Sequence, residues 1–362
     1  MKRQLLGVAA FMLALSAHAQ DNPLWMRYCA ISPDGTSIAF TYKGDIYTVP
    51  VNGGKAAQIT TNAAHDTHPV WSPDGKQIAF ASDRMGSMDI FVVDREGGIP
   101  KRLTTHSGNE TPVAFKDADH ILFLANVMPS AEDAQFPSGQ FQQVYEVSTT
   151  GDRPVMFSSM PMEDISINKT GNALLYHDKK GYEDPWRKHH TSSITRDIWL
   201  CSLDGKRSYR KLTSFNGEDR TPVWASDGKS FYYLSEEKGS FNVFKRALDG
   251  TSSTQLTHHT KHPVRFLTAA DNGTLCYGYD GEIYTMKEGT EPRKVQISIL
   301  TDKNDKDLIR QIRRNGATEI ALSPDAKEVA FILRGDVYVT SVEYKTTKQI
   351  TNTPEQEQVG GQ

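Results

Sequence analysis

The residues of this chain best suited to bind another molecule are concentrated in one insertion, between residues 178 and 196. Aromatic and cationic side chains together suit a peptide that presents a free carboxylate or acidic groups, and a loop on a rigid scaffold often carries binding residues. The alternative is a long connection that packs on its own domain or on other domains. We therefore take as candidate substrate-binding residues Trp186, Arg187, Lys188, His189, His190 and Arg196.

The sequence lacks the common motifs of catalysis. It has no Gly-x-Ser-x-Gly nucleophile elbow, no His-Glu-x-x-His, no Gly-x-x-x-x-Gly-Lys-Ser phosphate loop and no Gly-x-Gly-x-x-Gly. Adjacent histidines such as His258-His259 point to opposite faces of a strand, so they seldom bind one metal. We expect exposed loop histidines instead, with His65 and His68 among them. We accordingly predict no catalytic residue, no metal site and no cofactor.

A recurring two-residue pattern indicates the elements that position the insertion. A β-branched residue is followed directly by an aromatic one, and successive side chains of a strand point to opposite faces. Each pair therefore marks a strand that is apolar on both faces, with a sheet packed on either side. The intervals of about 40 to 54 residues are typical of β-propeller blades. The pairs are Ile46-Tyr47, Ile90-Phe91, Val144-Tyr145, Ile198-Trp199, Val243-Phe244, Ile283-Tyr284 and Val337-Tyr338.

Two further sequence features, a turn signal and a closing dipeptide, recur at the same intervals as the pairs. A tight-turn signal such as Ser32-Pro33-Asp34-Gly35 lies upstream of most of them, where proline presets φ and glycine accepts the positive φ that closes a hairpin. Many units then end in a Leu-Thr or Ile-Thr dipeptide, such as Leu103-Thr104. One unit therefore reads as four antiparallel strands. The alternative is a β-sandwich with accidental self-similarity. It does not explain why the pair, the turn signal and the closing dipeptide recur together in the same order.

The predicted fold is all-β, a six-bladed β-propeller of four-stranded antiparallel blades plus one further blade-like unit that begins a second propeller. The predicted propeller spans residues 24–298, and a charged linker follows over residues 299–316. The further blade spans residues 317–353, and a disordered tail covers residues 354–362. Closure of all seven units around one axis is the alternative, and the charged linker favours six plus one.

The N-terminus has the pattern of a secretory signal peptide over residues 1–19. Lys2 and Arg3 precede a short apolar stretch, and small residues end it, which predicts cleavage between Ala19 and Gln20. The apolar stretch is too short to cross a membrane, and no second one follows. We expect an exported, periplasmic protein with no membrane span after removal of the signal.

Composition argues against several other classes. The formal net charge is −3, and the basic residues are scattered, so no nucleic-acid-binding surface is indicated. The three cysteines are Cys29, Cys201 and Cys276. Their odd number and wide spacing do not indicate a disulfide framework, and we interpret them as small buried hydrophobic residues.

The Ser-Pro-Asp-Gly-Lys turn, the Ile-Ala-Phe strand and the closing Leu-Thr resemble the repeat of TolB-type propellers. The order of signal peptide, six units and the start of a second set is similar to the N-terminal part of exported tricorn-type proteases. The stretch from Trp186 to Ser193, followed by Arg196-Asp197-Ile198-Trp199, also resembles that family. The resemblance covers the mature chain from about residue 21 to about residue 353.

The resemblance implies a non-catalytic propeller portion of a tricorn-like periplasmic protease, which admits or orients peptide substrates. In that family the catalytic residues lie in a later PDZ-like domain and a serine endopeptidase core of the S41 type. We therefore expect this chain to be inactive alone, with peptides or unfolded protein and the remaining domains of the parent protease as partners. A TolB-like interaction scaffold and a self-contained propeller lyase or lactonase are the alternatives.

Overall fold

β-Strands build the observed architecture, and one strand of each blade carries an aliphatic-aromatic pair. The structure, a computed structural model, describes residues 23–126, 141–181, 194–300, 314–344 and 346–351, and every regular element in these ranges is a β-strand. They form two compact units, which divide between residues 301 and 302. The predicted signal peptide with Ala19 and Gln20, residues 301–313 of the predicted linker and the whole predicted tail lie outside the described residues.

The first unit holds six four-stranded antiparallel sheets, here called blades 1 to 6, each in sequential strand order. Blade 1 contains β1 (Arg27–Ile31), β2 (Ser37–Tyr42), β3 (Asp45–Pro50) and β5 (Ala57–Gln58). Blade 2 contains β6 (Asp66–Trp71), β7 (Gln77–Ser82), β8 (Asp89–Asp94) and β9 (Lys101–Arg102). Blade 3 contains β10 (Glu110–Phe115), β11 (His120–Ala125), β12 (Gln143–Ser148) and β13 (Val155–Ser158).

The next three blades repeat the arrangement. Blade 4 contains β14 (Met162–Ile167), β15 (Ala173–Asp178), β16 (Ile198–Ser202) and β17 (Ser208–Lys211). Blade 5 contains β18 (Asp219–Trp224), β19 (Ser230–Ser235), β20 (Asn242–Ala247) and β21 (Ser253–Gln255). Blade 6 contains β22 (Arg265–Ala269), β23 (Leu275–Tyr279), β24 (Glu282–Met286) and β25 (Arg293–Lys294). The first strand of each blade packs against the first strand of the next, so these are the inner strands.

Each aliphatic-aromatic pair is shared between two hydrophobic clusters, one on either side of its blade. In blade 2, Ile90 is buried with Phe123 of blade 3, whereas Phe91 is buried with Ile46 of blade 1. The other five pairs of the first unit divide between two clusters in the same way. The prediction that these strands are buried on both faces is confirmed, and six such clusters hold the six blades together.

The closing Leu-Thr dipeptide ties the fourth strand of a blade to the pair in its third strand. The Thr104 hydroxyl oxygen accepts a hydrogen bond from the Ile90 amide at 2.9 Å, and the Leu103 amide donates to the Ile90 carbonyl at 2.8 Å. Thr60, Thr213, Thr257 and Thr351 make the same hydroxyl contact in their own sheets. The dipeptide recurs because threonine satisfies an amide that the short fourth strand leaves without a backbone partner.

The ring of six blades closes between the first and the last. A short strand, β4 (Gly54–Lys55), pairs in parallel with β26 (Ile297–Ser298), and the Met26 amide donates to the Gly281 carbonyl at 3.1 Å. Met26 also lies in the same buried cluster as Ile283 of blade 6. The six-unit propeller predicted from the sequence is confirmed.

Replacing Gly53 with alanine is expected to weaken this closure. Gly53 has φ +88, and an added Cβ would lie 2.4 Å from the Gln296 carbonyl oxygen, which is backbone and cannot move aside. The neighbouring Gly54 also has positive φ, at +120, but has nothing within 4 Å of an added Cβ. We expect Gly53→Ala to lower the free energy of unfolding by about 2 kcal/mol and Gly54→Ala by about 1 kcal/mol, measured by urea denaturation. Equal effects would show that the contact with Gln296 is unimportant.

The second unit contains one further four-stranded sheet with the same strand order. Its strands are β27 (Ala317–Leu322), β28 (Glu328–Leu333), β29 (Asp336–Ser341) and β30 (Thr347–Gln349). It repeats the marks of the blades, including the Ser323 hydroxyl bonded to Asp325 at 2.7 Å and stacked Phe331 and Tyr338 rings. Val337 and Tyr338 are only half-buried, whereas the matching pairs of the first unit pack between two blades. The predicted six blades plus one blade-like unit are confirmed, and the predicted domain boundaries stay predictions.

Candidate functional site

Five of the six inner strands carry a residue in the left-handed backbone conformation near the same end. Each lies at a break in strand register, which is the sign of a β-bulge. This conformation is uncommon for residues other than glycine, so its recurrence marks one end of the inner strands as specialised. We call that end the mouth, defined by Tyr28 (φ 52), His68 (φ 53), Asp164 (φ 49), Thr221 (φ 52) and Phe266 (φ 58).

One side of the mouth is aromatic. The Tyr28 ring lies 3.7 Å from the His68 ring and 4.9 Å from the Phe266 ring, centroid to centroid. These residues come from blades 1, 2 and 6, so three inner strands meet there. Burial lowers the pKa of His68 to about 4, against the opposing charge of Asp164. The His68 ring is therefore neutral at neutral pH, and it faces the Thr67 hydroxyl at 3.1 Å.

The other side of the mouth is charged and belongs to blades 4 and 5. The Thr221 hydroxyl donates to the Asp164 carboxylate at 2.5 Å, and the Asp164 side chain keeps 46% of its surface exposed. Next to it, Glu163 accepts from Lys179 at 2.6 Å and pairs with His177 at 3.2 Å. Burial raises the pKa of Glu163, but the hydrogen bond from His177 and the charge and hydrogen bond of Lys179 outweigh it and hold that pKa well below its usual range. Glu163 is therefore a fixed carboxylate.

Arg196 occupies the base of this charged side. Its Nη1 donates to Glu218 at 2.9 Å, and its Nε lies 3.5 Å from Glu163. The Arg196 side chain is 5% exposed and that of Glu218 is fully buried. A second arginine, Arg220, lies 3.6 Å from Glu218 and sits 4.0 Å above the Phe241 ring. Arg196, the one predicted binding residue in the described part of the chain, is therefore an internal ion-pair partner here, and its binding role stays a prediction.

The insertion that carries the other candidates begins and ends next to this charged network. Gly181 and Ile194 lie side by side at its base, and the Lys180 ammonium donates to the Thr195 carbonyl at 2.6 Å. The insertion joins the second and third strands of blade 4, a connection made at the mouth end. Trp186, Arg187, Lys188, His189 and His190 lie outside the described residues, so their binding role stays a prediction.

The exposed-histidine prediction was wrong for two described residues. His68 is half-buried against Tyr28, as above. His259 stacks on Tyr279 at 3.8 Å and hydrogen bonds to the Tyr277 hydroxyl at 3.0 Å. Both were misjudged because aromatic rings cover them, from another blade in the case of His68 and from β23 of blade 6 in the case of His259. Across the described ranges, no cluster of histidine, cysteine and acidic side chains has the form of a metal site.

The five mouth residues were not identified by sequence reasoning, although their position is regular. Each lies four residues before the first residue of the turn that follows its inner strand: Tyr28 before Ser32, and His68 before Ser72. Asp164, Thr221 and Phe266 keep the same offset in their own blades. The five side chains differ in type, so residue type does not reveal them. Their constant distance of four residues from the turn could have identified all five positions.

Several known proteins are similar in sequence to this chain. Residues 23–292 match the profile of the Tricorn protease N-terminal beta propeller domain. Tricorn protease homolog 1 of Streptomyces coelicolor is 25% identical over 279 residues, which cover 76% of this chain and 25% of that protein. Tricorn protease of Thermoplasma acidophilum is 25% identical over 332 residues, which cover 88% of this chain and 29% of that protein.

A solved structure agrees with the sequence matches. A crystal structure of the tricorn protease superposes with a TM-score of 0.72 at 20% identity, over 91% of this chain and 32% of that one. The likeness at this identity shows the fold. The chain spans about a quarter of the length of the curated relatives it matches. Within the described ranges, no helix is long and apolar enough to cross a membrane.

Proposed function

Because the chain belongs to the family of tricorn protease N-terminal β-propeller domains, we propose that it is a non-catalytic part of a tricorn-like protease whose mouth admits or orients peptide substrates. The observation that carries the proposal is the division of the mouth into an aromatic side and a charged side. Aromatic faces accept apolar and cationic side chains of many peptides. Carboxylates and ammonium groups fix the direction of a bound chain.

The mouth is built for binding because its groups are held in place before a ligand arrives. Tyr28, His68 and Phe266 restrain one another by ring contacts, and the Glu163 and Glu218 carboxylates are held by cationic partners. Preformed sites lose less conformational entropy on binding than flexible ones. Asp164 is the most accessible charge, so it offers an anchor for a cationic group or a free amino terminus of a peptide.

The same network does not favour catalysis. His177 has both ring nitrogens engaged, one with Glu163 at 3.2 Å and the other accepting from the Thr221 amide at 3.3 Å. A general base must reach the proton of a nucleophile or a water, and neither nitrogen is left for that task. Peptide cleavage by an S41-type serine endopeptidase core is therefore proposed for the remaining domains of the parent protease.

Peptide binding by the purified chain tests the proposal. Titration calorimetry with a set of short peptides is expected to show binding without turnover. Tyr28→Asn and Phe266→Asn remove the rings while keeping a residue that tolerates positive φ, and each is expected to weaken binding by about 5- to 30-fold. Tyr209→Asn is the matched control, because Tyr209 is an exposed aromatic residue on the outer strand of blade 4. Equal binding by all three variants, or peptide turnover by pure protein, would refute the proposal.

The insertion provides a second, separate prediction about binding. If Trp186 and Arg187 contact the peptide, Trp186→Ala with Arg187→Ala should abolish binding in the same calorimetry, while the thermal unfolding midpoint stays unchanged. Desolvated aromatic and arginine anchors contribute more than about 1 kcal/mol each at interfaces. Unchanged affinity would remove the insertion from the site and leave the mouth proposal intact.

We also propose that the protein is exported to the periplasm. The basic, apolar and small-residue pattern of residues 1–19 supports this location. Protein from the periplasmic fraction should begin at Gln20 by mass spectrometry. Recovery of the intact N-terminus from the cytoplasm would show that the segment is not a cleaved signal.

A further inference from the structure

Trp25 is an exposed aromatic residue in an unfavourable backbone conformation. It lies just before β1 of blade 1, its φ of 70 is in the left-handed region, and it is 69% exposed. Bulky residues seldom adopt this conformation, and strained residues of this kind are concentrated at functional sites. Because so little of Trp25 is buried, packing within the chain does not explain the strain. Its ring is therefore a candidate for contact with a ligand.

The other described tryptophans have structural roles. Trp71 is 7% exposed, and its indole NH donates to a backbone carbonyl of blade 1 at 2.9 Å. The indole NH groups of Trp199 and Trp224 donate to oxygen atoms of blade 4, at 3.1 Å and 2.9 Å. These three side chains join strands or blades to one another, whereas Trp25 presents its ring to the surface.

The backbone of Trp25 is supported by blade 6. The amide of the next residue, Met26, donates to the Gly281 carbonyl at 3.1 Å, in the hairpin between β23 and β24. A Cβ added to Gly281 would lie 3.0 Å from the Trp25 amide nitrogen and 3.9 Å from the Leu24 Cβ, so the hairpin packs directly against this segment. The ring is therefore held on a fixed support, and a ligand that contacts it restricts little further motion of the chain.

Trp25 lies at the same end of the blades as the mouth. It precedes Tyr28 by three residues, so at most about 10 Å of chain separates the two backbones. Its neighbour Leu24 is 52% exposed, and the Arg27 guanidinium lies 5.7 Å from the centroid of the Trp25 ring. An aromatic ring next to an aliphatic side chain favours an apolar partner. The positive charge of Arg27 disfavours a cationic one.

We propose that Trp25 and Leu24 form a subsite at the edge of the mouth that takes an apolar or aromatic side chain of a bound peptide. The inference rests on the proposed binding of peptides at the mouth, and it adds a preference for the sequence of the peptide. Asp164 attracts a cationic group on the charged side of the mouth. The two features together select peptides that carry an apolar residue as well as a positive charge.

Two matched series of short peptides measure this preference. One series carries a single phenylalanine at successive positions, and the other carries lysine at the same positions. In titration calorimetry, the wild-type chain should bind the best phenylalanine peptide about 5- to 30-fold more tightly than its lysine counterpart. Trp25→Asn keeps a residue that tolerates positive φ. It should bind the two peptides with nearly equal affinity, while the thermal unfolding midpoint stays unchanged or rises.

Ile99→Asn is the matched control. Ile99 is 97% exposed in the connection between β8 and β9, at the opposite end of the blades, so this variant should keep the wild-type preference. Peptide binding by the wild-type chain without a preference for phenylalanine would overturn this inference alone. Retention of the preference by Trp25→Asn, or its loss in Ile99→Asn, would do the same. The absence of any peptide binding would overturn both this inference and the proposed function.

Discussion

Replacing Arg196 with alanine is expected to lower the free energy of unfolding by about 3 kcal/mol. The change leaves the fully buried Glu218 carboxylate without its partner at 2.9 Å, and an uncompensated buried charge is costly. Arg220 lies 3.6 Å from the same carboxylate, so it recovers part of the loss and keeps the effect at the lower end of the usual range. Urea denaturation at neutral pH measures it.

An exposed ion pair provides the control for this experiment. Lys169 and Asp271 are 3.0 Å apart, with 83% and 57% of their side chains exposed, so Lys169→Ala should cost less than about 1 kcal/mol. Equal losses from Arg196→Ala and Lys169→Ala would show that the buried pair does not hold the base of the insertion.

Replacing Glu110 with glutamine is expected to remove a pH dependence of stability worth about 3 kcal/mol. Burial raises the pKa of Glu110 to about 7, while a hydrogen bond from Thr104 opposes the shift. The folded protein therefore holds a proton on Glu110 that the unfolded chain has lost between about pH 4.5 and pH 7. Stability from this group is present at low pH and lost as the pH rises through 7.

The difference in unfolding free energy between Glu110→Gln and wild type should thus increase from pH 5 to pH 8. The amide keeps an acceptor for the Thr104 hydroxyl, so the fold is preserved. The other buried groups contribute equally to the pH dependence of both proteins, so their contributions cancel in this difference. Asp219 is one of them, since burial raises its pKa to about 6. Glu96→Gln is the control, because Glu96 is 88% exposed and its difference should stay flat. A flat curve for Glu110→Gln would mean that Glu110 ionises normally.

The fold could be predicted from the sequence because the recurring pairs and dipeptides depend on contacts between nearby strands, and these contacts repeat in the blades. Ile90 and Phe91 face opposite sides of one strand, and Thr104 bonds back to the amide of Ile90 fourteen residues away. Such contacts depend on the neighbouring strand only. Asp89, which precedes Ile90, also has a partner on the neighbouring strand, since it pairs with Arg102 at 2.8 Å.

The candidate site could be predicted only in part because it depends on contacts between distant blades. Arg196 was selected for its charge, and nothing in its own neighbourhood shows that Glu218 will be buried beside it. The ring contact between Tyr28 and Phe266 requires closure of the ring.

Mapping where a bound peptide touches the chain tests the proposed function most directly. A short peptide with a photoreactive side chain would be cross-linked to the intact protein and the adducts located by mass spectrometry. Binding at the mouth predicts adducts within residues 25–30, 162–166 and 264–268 or in the insertion at 178–196, together with an uncleaved peptide. Adducts confined to the opposite end of the blades, at turns such as 32–35 and 72–75, would contradict it.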